Sequence, residues 1–400
     1  MSAIKIEENI YFVGVFDPEL RVFDIVVPTK DGTTYNSYLI VGKEKKALIE
    51  ACKFNFKEDH LKNIEEICPI EELDYIVLNH TEPDHSGTLP LIVDKNPNIE
   101  VIYSKTAKSF VENIINKEFN GRSVSDGDTI DLGGYTLEFF HTPFLHWPDT
   151  MFTYLREKNI LFPCDFLGAH YCEYNIFNDT LENKEEAYNA FKYYYMSIMR
   201  PFKNHILKAL DKIKNLKIDI ICPSHGPILR ENIQYYIDFY RDQAVKFNIR
   251  KNKNIATILY ASAYNNTKKL AETIDRALKE TGVETILIDA ANEPMKKIID
   301  SIEISKGLII GTATINAKAP KPIFDVFANL VVLDVSGRIA GVFGSYGWSG
   351  EGVRISEDIV KTMRMKTPMP TFMVKMTPSD KDLEEAYKWG CELGISILES

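Results

Sequence analysis

The sequence predicts a two-domain protein in which an α+β sandwich of two helix-covered sheets precedes an α/β domain with a doubly wound parallel sheet. Its 400 residues are too many for one ordinary hydrophobic core. The first half contains short strands, rich in β-branched and aromatic residues, separated by turns and a few helices. From Ile255 onward, strands and helices alternate strictly, which favours a parallel sheet.

The N-terminal elements follow one another in an order that suits four layers. We predict strands at residues 9–15, 34–41, 46–50, 74–78, 99–103, 135–140, 151–155 and 160–162. Helices are predicted at residues 58–67, 107–115 and 185–210, the last of them long and rich in tyrosine. The order of the elements is strands and helices, then hairpins, then another set of strand and helix. This order indicates two sheets covered by helices.

A polar and basic stretch at residues 247–254, with Arg250, Lys251 and Lys253, marks the predicted linker. We therefore expect domains at residues 1–250 and 251–400. In the second domain the predicted strands are residues 255–260, 283–288, 307–310, 339–343 and 371–376. The predicted helices are residues 267–280, 293–301, 321–330, 351–361 and 379–399. This repeated βαβ pattern is typical of a doubly wound sheet.

The composition indicates a soluble protein, with 45% hydrophobic and 26% charged residues. A formal net charge of -10 argues against general binding to nucleic acids or anionic membranes, because phosphate groups would be repelled. No run approaches the roughly 20 apolar residues that span a bilayer. We expect a cytoplasmic protein that binds neither nucleic acid nor membrane.

The six cysteines are scattered and form no Cys-x-x-Cys pair. This spacing excludes a rubredoxin-type iron site and a zinc ribbon. Scattered cysteines in a long chain favour reduced thiols, with a disulfide as the alternative.

Seven potential metal ligands follow predicted strands or lie in the turns between them. His80, Glu82, Asp84 and His85 lie together directly after the strand that ends at Leu78. Further along the chain are His146, Asp165 and His225. A turn after a strand can direct such side chains to a common point, whereas a regular strand or helix cannot direct all four clustered residues inward.

Four imidazoles and three carboxylates suit two metal ions with about three or four ligands each, one carboxylate bridging. Without a thiolate, the set fits iron or manganese as well as zinc. A chance collection of polar residues in surface turns is the alternative.

Three loops of the second domain follow strands of the same predicted sheet. The first joins a strand to a helix N-terminus, which is a natural phosphate-binding position. The second and third should meet it, because ligands of such sheets bind outside the carboxyl ends of the strands. The loops comprise Ser262, Ala263, Tyr264, Asn265, Asn266 and Thr267; Gly311, Thr312, Ala313, Thr314, Ile315 and Asn316; and Gly344, Ser345, Tyr346, Gly347, Trp348, Ser349 and Gly350.

The order of the candidate metal ligands resembles that of the flavodiiron proteins. It is His-x-Glu-x-Asp-His, then His-Trp-Pro-Asp, then the single residue Asp165, then Ser-His-Gly. The resemblance covers about residues 5 to 395 and implies a metallo-β-lactamase-like αββα sandwich followed by a flavodoxin-like domain. Hydrolytic members of the superfamily usually carry His at the position of Glu82, so this carboxylate favours iron over zinc.

The resemblance also implies a ligand assignment. One iron would bind His80, Glu82 and His146, the other would bind Asp84, His85 and His225, and Asp165 would bridge them. The three loops resemble the FMN loops of the family, with Asn265 and Ser349 where Gly is commoner. Asn is the non-glycine residue best suited to a left-handed backbone.

Several other residues have an expected role or a structural alternative. Tyr194 or Tyr195 resembles a family tyrosine that faces the substrate pocket, although both could be aromatics buried on a helix. Tyr346 or Trp348 could flank the flavin or lie exposed at an interface. His170 could support a ligand, but a core histidine is the preferred interpretation, and His60, His141 and His205 are read as structural or exposed.

One position departs from the family pattern. Many members have His shortly after an Arg-x-Phe/Tyr step near the N-terminus, whereas here Arg21, Val22 and Phe23 precede Asp24. The sequence therefore leaves the preference between dioxygen and nitric oxide open.

The resemblance implies that the chain reduces dioxygen to water, or alternatively nitric oxide to nitrous oxide, with electrons passed through FMN to two irons. Family members assemble head to tail, so a homodimer or tetramer is expected. The sequence encodes no fused rubredoxin or NAD-binding domain, which implies a separate electron donor, with rubredoxin preferred over a reduced deazaflavin. A zinc hydrolase, or a flavodoxin-like carrier whose first domain only docks partners, are the rival functions.

Overall fold

The computed structural model describes residues 2–250 and 253–400 and divides the chain into two compact units, Met1–Ala244 and Val245–Ser400. A helix runs through this boundary and continues to Arg250. The stretch that the sequence predicts as a linker therefore begins as helix at residue 247, and its Lys251 lies outside the described residues. The predicted domain limits at 250 and 251 stay a prediction.

The first unit consists of short strands and seven helices among the described residues. Its strands are β1 (Ile4–Glu7), β2 (Ile10–Phe12), β3 (Val15–Asp17), β4 (Val22–Phe23), β5 (Val27–Pro28), β6 (Thr33–Tyr35), β7 (Tyr38–Val41), β8 (Lys46–Ile49), β9 (Tyr75–Leu78), β10 (Glu100–Ser104), β11 (Gly121–Val124), β12 (Thr129–Asp131), β13 (Thr136–His141), β14 (Met151–Leu155), β15 (Ile160–Phe162) and β16 (Ile220–Ile221). Its helices are α1 (Lys57–Glu65), α2 (Pro83–Ser86), α3 (Leu89–Lys95), α4 (Lys108–Ile115), α5 (Lys184–Tyr194), α6 (Lys203–Ile213) and α7 (Ile233–Arg250).

Two sheets form the centre of this unit. The first has the strand order β1-β2-β7-β8-β9-β10-β11, and the second has the order β12-β13-β14-β15-β16. Strands β8, β9 and β10 run parallel to one another, as do β15 and β16. Parallel neighbours place their carboxyl ends at the same edge of a sheet, so the loops that follow them lie side by side.

The alternation of side chains along the strands builds the layers. In β9, Val77 points into the core between the two sheets, where it joins Phe139 of the second sheet. Its neighbour Ile76 points to the opposite face, which α1, α3 and α4 cover. Helices α5, α6 and α7 cover the outer face of the second sheet, with Tyr240 among the buried residues. The predicted four-layer αββα sandwich is confirmed.

The single helix predicted at residues 185–210 is wrong. Helix α5 ends at Tyr194, a π-helical turn follows at Tyr195–Met199, a 3₁₀ turn spans Arg200–Phe202, and α6 begins at Lys203. Pro201 explains the interruption, because proline has no backbone N–H and its ring clashes with the preceding turn of a helix. The aromatic pattern continues across the break and therefore concealed it.

The second unit alternates strands and helices throughout. Its strands are β17 (Ile255–Ala261), β18 (Glu284–Asp289), β19 (Gly307–Thr312), β20 (Ile339–Tyr346) and β21 (Phe372–Lys375). Its helices are α8 (Asn266–Glu280), α9 (Met295–Glu303), α10 (Lys321–Asn329), α11 (Glu351–Thr362) and α12 (Asp380–Leu398). The sheet order is β18-β17-β19-β20-β21, and every neighbouring pair is parallel.

Helices cover both faces of this parallel sheet. Leu270 and Leu393, from α8 and α12, pack on one face, whereas Ile298, Val326 and Val353, from α9, α10 and α11, pack on the other. The predicted flavodoxin-like doubly wound fold is confirmed. The order reverses between β17 and β19, and loops at this point of an open parallel sheet form the usual ligand crevice.

Two expectations from composition concern the whole chain. All six cysteines are free in the structure, so the disulfide alternative is wrong. No described helix combines the length and the apolar character needed to cross a membrane.

Candidate metal centre and flavin site

Asn79 joins the strand ends that carry the predicted metal ligands. It directly follows β9, and its side-chain amide donates to the carbonyl oxygen of Phe162, the last residue of β15, at 3.2 Å. Its backbone oxygen accepts from Met151 N at 2.8 Å, and its side-chain oxygen accepts from Thr153 Oγ1 at 2.6 Å. The loops after β9 and β15, which lie in different sheets, are thereby held together.

The structure brings all seven predicted metal ligands together in two groups. In the first group, Glu82 Oε2 lies 3.0 Å from His80 Nε2 and 3.1 Å from His146 Nε2. Asp165 Oδ2 lies 3.2 Å from the same His146 nitrogen and 3.8 Å from His80 Nε2. Three different loops therefore direct four side chains to one point.

The second group shares Asp165 with the first. Asp84 Oδ2 lies 3.1 Å from His225 Nε2 and 3.4 Å from His85 Nε2. The other oxygen of Asp165, Oδ1, lies 3.0 Å from His85 Nε2 and 3.6 Å from His225 Nε2. Because its two oxygens face different groups, Asp165 has the geometry of a bridging carboxylate.

Residues outside the seven hold the imidazoles in position through their second nitrogen. His80 Nδ1 lies 3.4 Å from Asp149 Oδ1, and the other oxygen of Asp149 accepts from Thr81 N and Oγ1 at 2.9 and 2.6 Å. His225 Nδ1 lies 2.6 Å from the backbone oxygen of Thr34. Such contacts select the tautomer that presents Nε2, because a ring nitrogen that donates to a carboxylate or carbonyl carries the proton.

Burial and neighbouring charges have opposite effects on the pKa values of residues in this site. Burial lowers the pKa of His80, but the Asp149 and Glu82 carboxylates, together with the charge of Asp165, outweigh this effect and raise the pKa to about 10. Burial also opposes ionisation of Asp165, yet the neighbouring histidines hold its pKa well below the usual value. The pocket therefore strongly favours positive charge, carried either by protons on the imidazoles or by metal ions that replace them.

The residues present fit two metal ions. Within the described structure, the buried atoms Asp84 Oδ2, Asp165 Oδ1, His85 Nε2 and His225 Nε2 have no hydrogen-bond partner of acceptable geometry, although they lie only 3–4 Å apart. Buried polar atoms are seldom left in this state unless they bind an ion or water. Cys164 lies close to His85 and Asp165, but burial raises the pKa of its thiol well above the usual value, so the ligand set stays one of oxygen and nitrogen.

A second site lies at the carboxyl ends of the parallel sheet in the second unit. All three predicted flavin loops contribute to one cavity of about 220 Å³. Its walls are formed by Ser262, Ala263, Tyr264, Asn266, Thr267, Ala313, Thr314, Ile315, Asn316, Ser345, Tyr346, Gly347, Trp348 and Met376. The Thr267 and Ser345 hydroxyls lie 3.2 Å apart and link the first loop to the third.

The first loop has the geometry of a phosphate cradle. Asn265 adopts a left-handed backbone with a φ of 65° and caps α8, which begins at Asn266. The helix N-terminus therefore opens toward the cavity with backbone N–H groups and the hydroxyls of Ser262 and Thr267 nearby. Positive helix ends with free N–H groups bind phosphate, so the cavity suits the phosphate end of FMN.

The chain matches known proteins over both units. The model of the ODP family beta lactamase matches residues 33–226, and the flavodoxin model matches residues 258–390. The chain is 38% identical to the flavo-diiron protein FprA2 of Clostridium acetobutylicum over 403 residues, which cover 99% of this chain and 100% of that protein. The chain belongs to the flavodiiron protein family.

Other flavodiiron relatives support this assignment. The chain is 33% identical to a nitric oxide reductase of Moorella thermoacetica, and the match covers 99% of each protein. The solved structure of rubredoxin oxygen:oxidoreductase from Desulfovibrio gigas has a TM-score of 0.70 and 26% identity, and the match covers 100% of this chain and 99% of that chain. As a flavodiiron protein, the chain is an oxidoreductase with FMN and a di-iron site as its cofactors.

The flavodiiron tyrosine predicted from the run at residues 193–195 has two candidates, and the structure separates them. The Tyr194 ring lies 4.8 Å from that of His170 and 6.2 Å from that of His225. The Tyr195 ring instead packs against Phe239 and Tyr240, with centroid distances of 5.6 and 4.8 Å. Both tyrosines are buried, but Tyr195 packs in the helical core against α7, because consecutive residues of a helix point in different directions. Only Tyr194 stays a candidate for the metal pocket.

Of the remaining histidines, His170 packs beside a predicted metal ligand, and the other three contact residues outside the ligand set. His170 is buried, its Nδ1 lies 3.0 Å from Thr33 Oγ1, and its ring lies 5.2 Å from that of His225. It therefore packs directly against a predicted ligand, which the interpretation as an ordinary core histidine did not foresee. His60 is buried beside Thr88, His141 contacts the Val124 carbonyl oxygen, and His205 packs against Phe144.

Asp24, where many flavodiiron proteins have His, also lies at the metal pocket. Partial burial, the charge of Glu82 and a hydrogen bond with Glu82 raise the pKa of Asp24 to about 7, and Asp84 adds to this effect. Asp24 is exposed, and the His146 and Glu82 side chains, whose charges act on it, keep 16% and 10% of their surface exposed. Asp24 therefore stands at the open side of the pocket.

Four of the predicted flavin residues do not line the described cavity wall: Asn265, Thr312, Ser349 and Gly350. Thr312 is the buried last residue of β19, and its hydroxyl donates to Ala313 O. Asn265 and Gly350 contribute a left-handed backbone before α8 and α11, rather than a side chain. Strand β20 continues to Tyr346, three residues beyond its predicted end at Phe343, so Gly344, Ser345 and Tyr346 are strand rather than loop residues.

Sequence reasoning missed two residues of the sites. Glu50 follows β8 directly, is buried, and accepts from Asn79 N at 3.2 Å, while burial raises its pKa to about 8 against the opposing charges of His85 and His80. Its position after an apolar strand was the signal that could have identified it. Met376, which follows β21, lines the flavin cavity, and no motif in the sequence indicated it.

Proposed function

We propose that this chain reduces dioxygen to water at a non-haem di-iron centre with electrons that pass through FMN. The observation that carries the proposal is the pair of ligand groups that share Asp165 and include the carboxylate of Glu82. A carboxylate at position 82 supports iron, whereas His is usual there in the hydrolytic branch of the fold.

The proposed ligand set follows the two groups of side chains. His80, Glu82 and His146 would hold one iron, Asp84, His85 and His225 would hold the other, and Asp165 would bridge them. When bound, two ferrous ions and reduced FMN together can supply the four electrons that dioxygen needs. Asp149 and the Thr34 carbonyl keep the Nε2 atoms of His80 and His225 directed inward. Burial of the ligands limits the access of bulk water, and the side with the partly exposed His146 and the exposed Asp24 provides the entrance.

Nitric oxide is the second candidate substrate, and one observation favours it. The relative from Moorella thermoacetica, with 33% identity over nearly the whole chain, is a nitric oxide reductase. The rubredoxin oxygen:oxidoreductase of Desulfovibrio gigas supports dioxygen. Dioxygen consumes four electrons and four protons to give two waters, whereas two nitric oxides consume two electrons and two protons to give nitrous oxide and water.

Single turnover without added donor tests the function directly. The protein is reduced under anaerobic conditions, freed of excess reductant and mixed with one gas at a time, while metal and FMN contents are measured on the same sample. We expect about two irons and one FMN per chain, and faster reoxidation by dioxygen than by nitric oxide. Zinc without flavin would instead indicate the hydrolase, and faster reoxidation by nitric oxide would reverse the assignment of the substrate.

The Asp165→Ala variant tests the bridging carboxylate and the electron-carrier alternative together. We expect it to lose at least about 100-fold in gas reduction because iron is no longer retained, with FMN content unchanged. The Asp211→Ala variant is the matched control, since Asp211 is an exposed carboxylate paired with Lys214. Full activity of Asp165→Ala would support a carrier whose first domain only docks partners.

We also propose a head-to-tail homodimer, or a tetramer built from such dimers, in which FMN of one subunit serves the irons of another. Asp165→Ala removes the irons, and Ser262→Glu repels the FMN phosphate. Mixed dimers of the two inactive variants should recover activity if electrons pass between subunits, because one intact pair of sites then remains. Mixed dimers that stay inactive would indicate transfer within one chain.

The proposed electron donor is a separate molecule, with the protein rubredoxin preferred and a reduced deazaflavin as the second candidate. Anaerobic stopped-flow measurements of FMN reduction by each donor distinguish them. Rubredoxin should reduce the flavin faster at equal concentration, and faster reduction by the deazaflavin would reverse this preference.

A further inference from the structure

A fourth segment reaches the flavin cavity, in addition to the three loops. Met376 directly follows the edge strand β21, in which Lys375 pairs in register with Tyr346 of β20. Met376 N donates to Tyr346 O at 2.9 Å, so its backbone is fixed to the third flavin loop. This hydrogen bond brings the side chain of Met376 into the wall of the cavity.

The conformation of Met376 is unusual for a methionine. Its φ is +60°, in the left-handed region that residues other than Gly, Asn and Asp rarely adopt. The side chain is 59% exposed, and its sulfur lies 3.5 Å from the position that a Cβ on Gly347 would occupy. A residue held in a disfavoured backbone conformation at the wall of a cavity is a candidate for a contact with the ligand of that cavity.

We propose that Met376 contacts the flavin ring system of bound FMN and lowers its reduction potential; this inference rests on FMN binding in the cavity. A thioether packs favourably against aromatic rings because sulfur is polarisable. It also excludes water from that part of the ring. Because reduction gives the flavin a partly anionic form at neutral pH, an apolar neighbour destabilises the reduced state more than the oxidised state.

The expected effect can be measured as the ratio of the affinity for reduced FMN to the affinity for oxidised FMN. A side chain that stabilises reduced FMN more than oxidised FMN raises the reduction potential by the same free energy. For a two-electron couple, a tenfold change in this ratio equals about 30 mV. The ratio is insensitive to any general weakening of the cavity, because such a loss affects both oxidation states equally.

Three substitutions of Met376 separate polarity from shape. Met376→Leu keeps an apolar side chain and should leave the ratio within about twofold of the wild type. Met376→Gln has similar length but is polar, and should favour the reduced form by about threefold, or about 14 mV. Met376→Lys adds a positive charge, and should favour the reduced form by about tenfold, or about 30 mV.

The measurement uses the full-length holoprotein, with the potential from anaerobic spectroelectrochemistry and the Kd for oxidised FMN from fluorescence quenching. Met363→Gln is the matched control, because Met363 follows the C-terminal end of α11 and lies outside the described cavity wall, and its ratio should not change. Equal potentials in all Met376 variants, or a shift in the Leu variant as large as in the Gln variant, overturn the inference alone. Wild-type protein that binds no FMN overturns this inference together with the proposed flavin site.

Discussion

At the scale of single residues, the imidazole of His80 is held from both sides. Its Nε2 faces Glu82 at 3.0 Å and its Nδ1 faces Asp149 at 3.4 Å. Asp149 is 1% exposed and is itself held by the backbone and hydroxyl of Thr81. A carboxylate that orients a ligand in this way raises its basicity and reduces its freedom to turn away from the metal.

Replacement of Asp149 should therefore weaken iron binding without removing a ligand. We expect Asp149→Asn to lower the affinity for iron by about 10–100-fold, because the amide of Asn cannot accept from both Thr81 and His80 as the carboxylate does. The measurement is the iron retained per chain during dialysis against a chelator, with Asp211→Asn as the exposed control. Retention equal to that of the wild type would contradict the proposed role.

His60 predicts a pH dependence that is independent of the metal site. It is fully buried beside Thr88, and burial lowers its pKa from 6.5 to about 3. The unfolded chain therefore binds this proton at a higher pH than the folded chain. The free energy of unfolding should fall as pH decreases from about 6.5 toward 3, by about 1.4 kcal/mol per pH unit.

Urea unfolding of the first unit at pH 7 and pH 5 measures this effect. Between these values the wild type should lose about 2 kcal/mol more than His60→Gln, because glutamine takes up no proton. Asn113→Gln, which replaces an exposed side chain that does not titrate, serves as the control and should keep the slope of the wild type. An unchanged slope in His60→Gln would show that His60 does not titrate on unfolding.

At the scale of elements, the junction of β17 and α8 depends on one backbone conformation. Asn265 has a φ of 65° and precedes the helix whose N-terminus opens onto the flavin cavity. Asparagine tolerates this region, and glycine adopts it without a steric penalty. A β-branched residue is disfavoured in this left-handed conformation, because its side chain crowds the backbone.

We expect Asn265→Gly to leave FMN binding nearly unchanged and Asn265→Val to destabilise the loop by about 1–2 kcal/mol. The Kd for FMN and the unfolding of the second unit should both respond to the valine substitution, since the same loop conformation is required for each. If the Asn265→Val variant binds FMN as tightly as the Asn265→Gly variant, the left-handed conformation is not needed for the phosphate cradle.

At the scale of the whole molecule, the chain comprises two compact units with separate cores and separate cofactor sites. The predicted metal ligands all lie in the first unit, and the cavity with its three flavin loops lies in the second. A ligand that binds only the folded form stabilises the unit that contains its site. The two cofactors should therefore stabilise different parts of the chain.

Calorimetry of the full-length protein should show two unfolding transitions that respond to different cofactors. Removal of iron should lower the Tm of one transition, and removal of FMN should lower the Tm of the other, because the sites belong to different cores. The Asp165→Ala and Ser262→Glu variants provide the matched controls for each loss. A single transition that shifts with either cofactor would contradict independent unfolding of the units.

Much of this organisation was predictable because it is local in the sequence. The alternation of β17 to α12, the strand before His80 and the left-handed Asn265 all follow from periodicity or from the backbone preferences of single residues. The ligand types were predictable for the same reason, since carboxylates and imidazoles after apolar strands are visible in the sequence. The break at Pro201 was missed because the aromatic pattern on both sides concealed it.

The sequence by itself determined the fold class, and it predicted the cofactor loops and the chemical nature of the metal ligands. Only the tertiary structure decided that the two oxygens of Asp165 face different ligand groups, that Tyr194 rather than Tyr195 lies by His170, and that Met376 enters the flavin cavity. The physical reason is that these relations join segments far apart in the chain. Sheet pairing and helix packing set such distances, and neither local propensity nor periodicity encodes them.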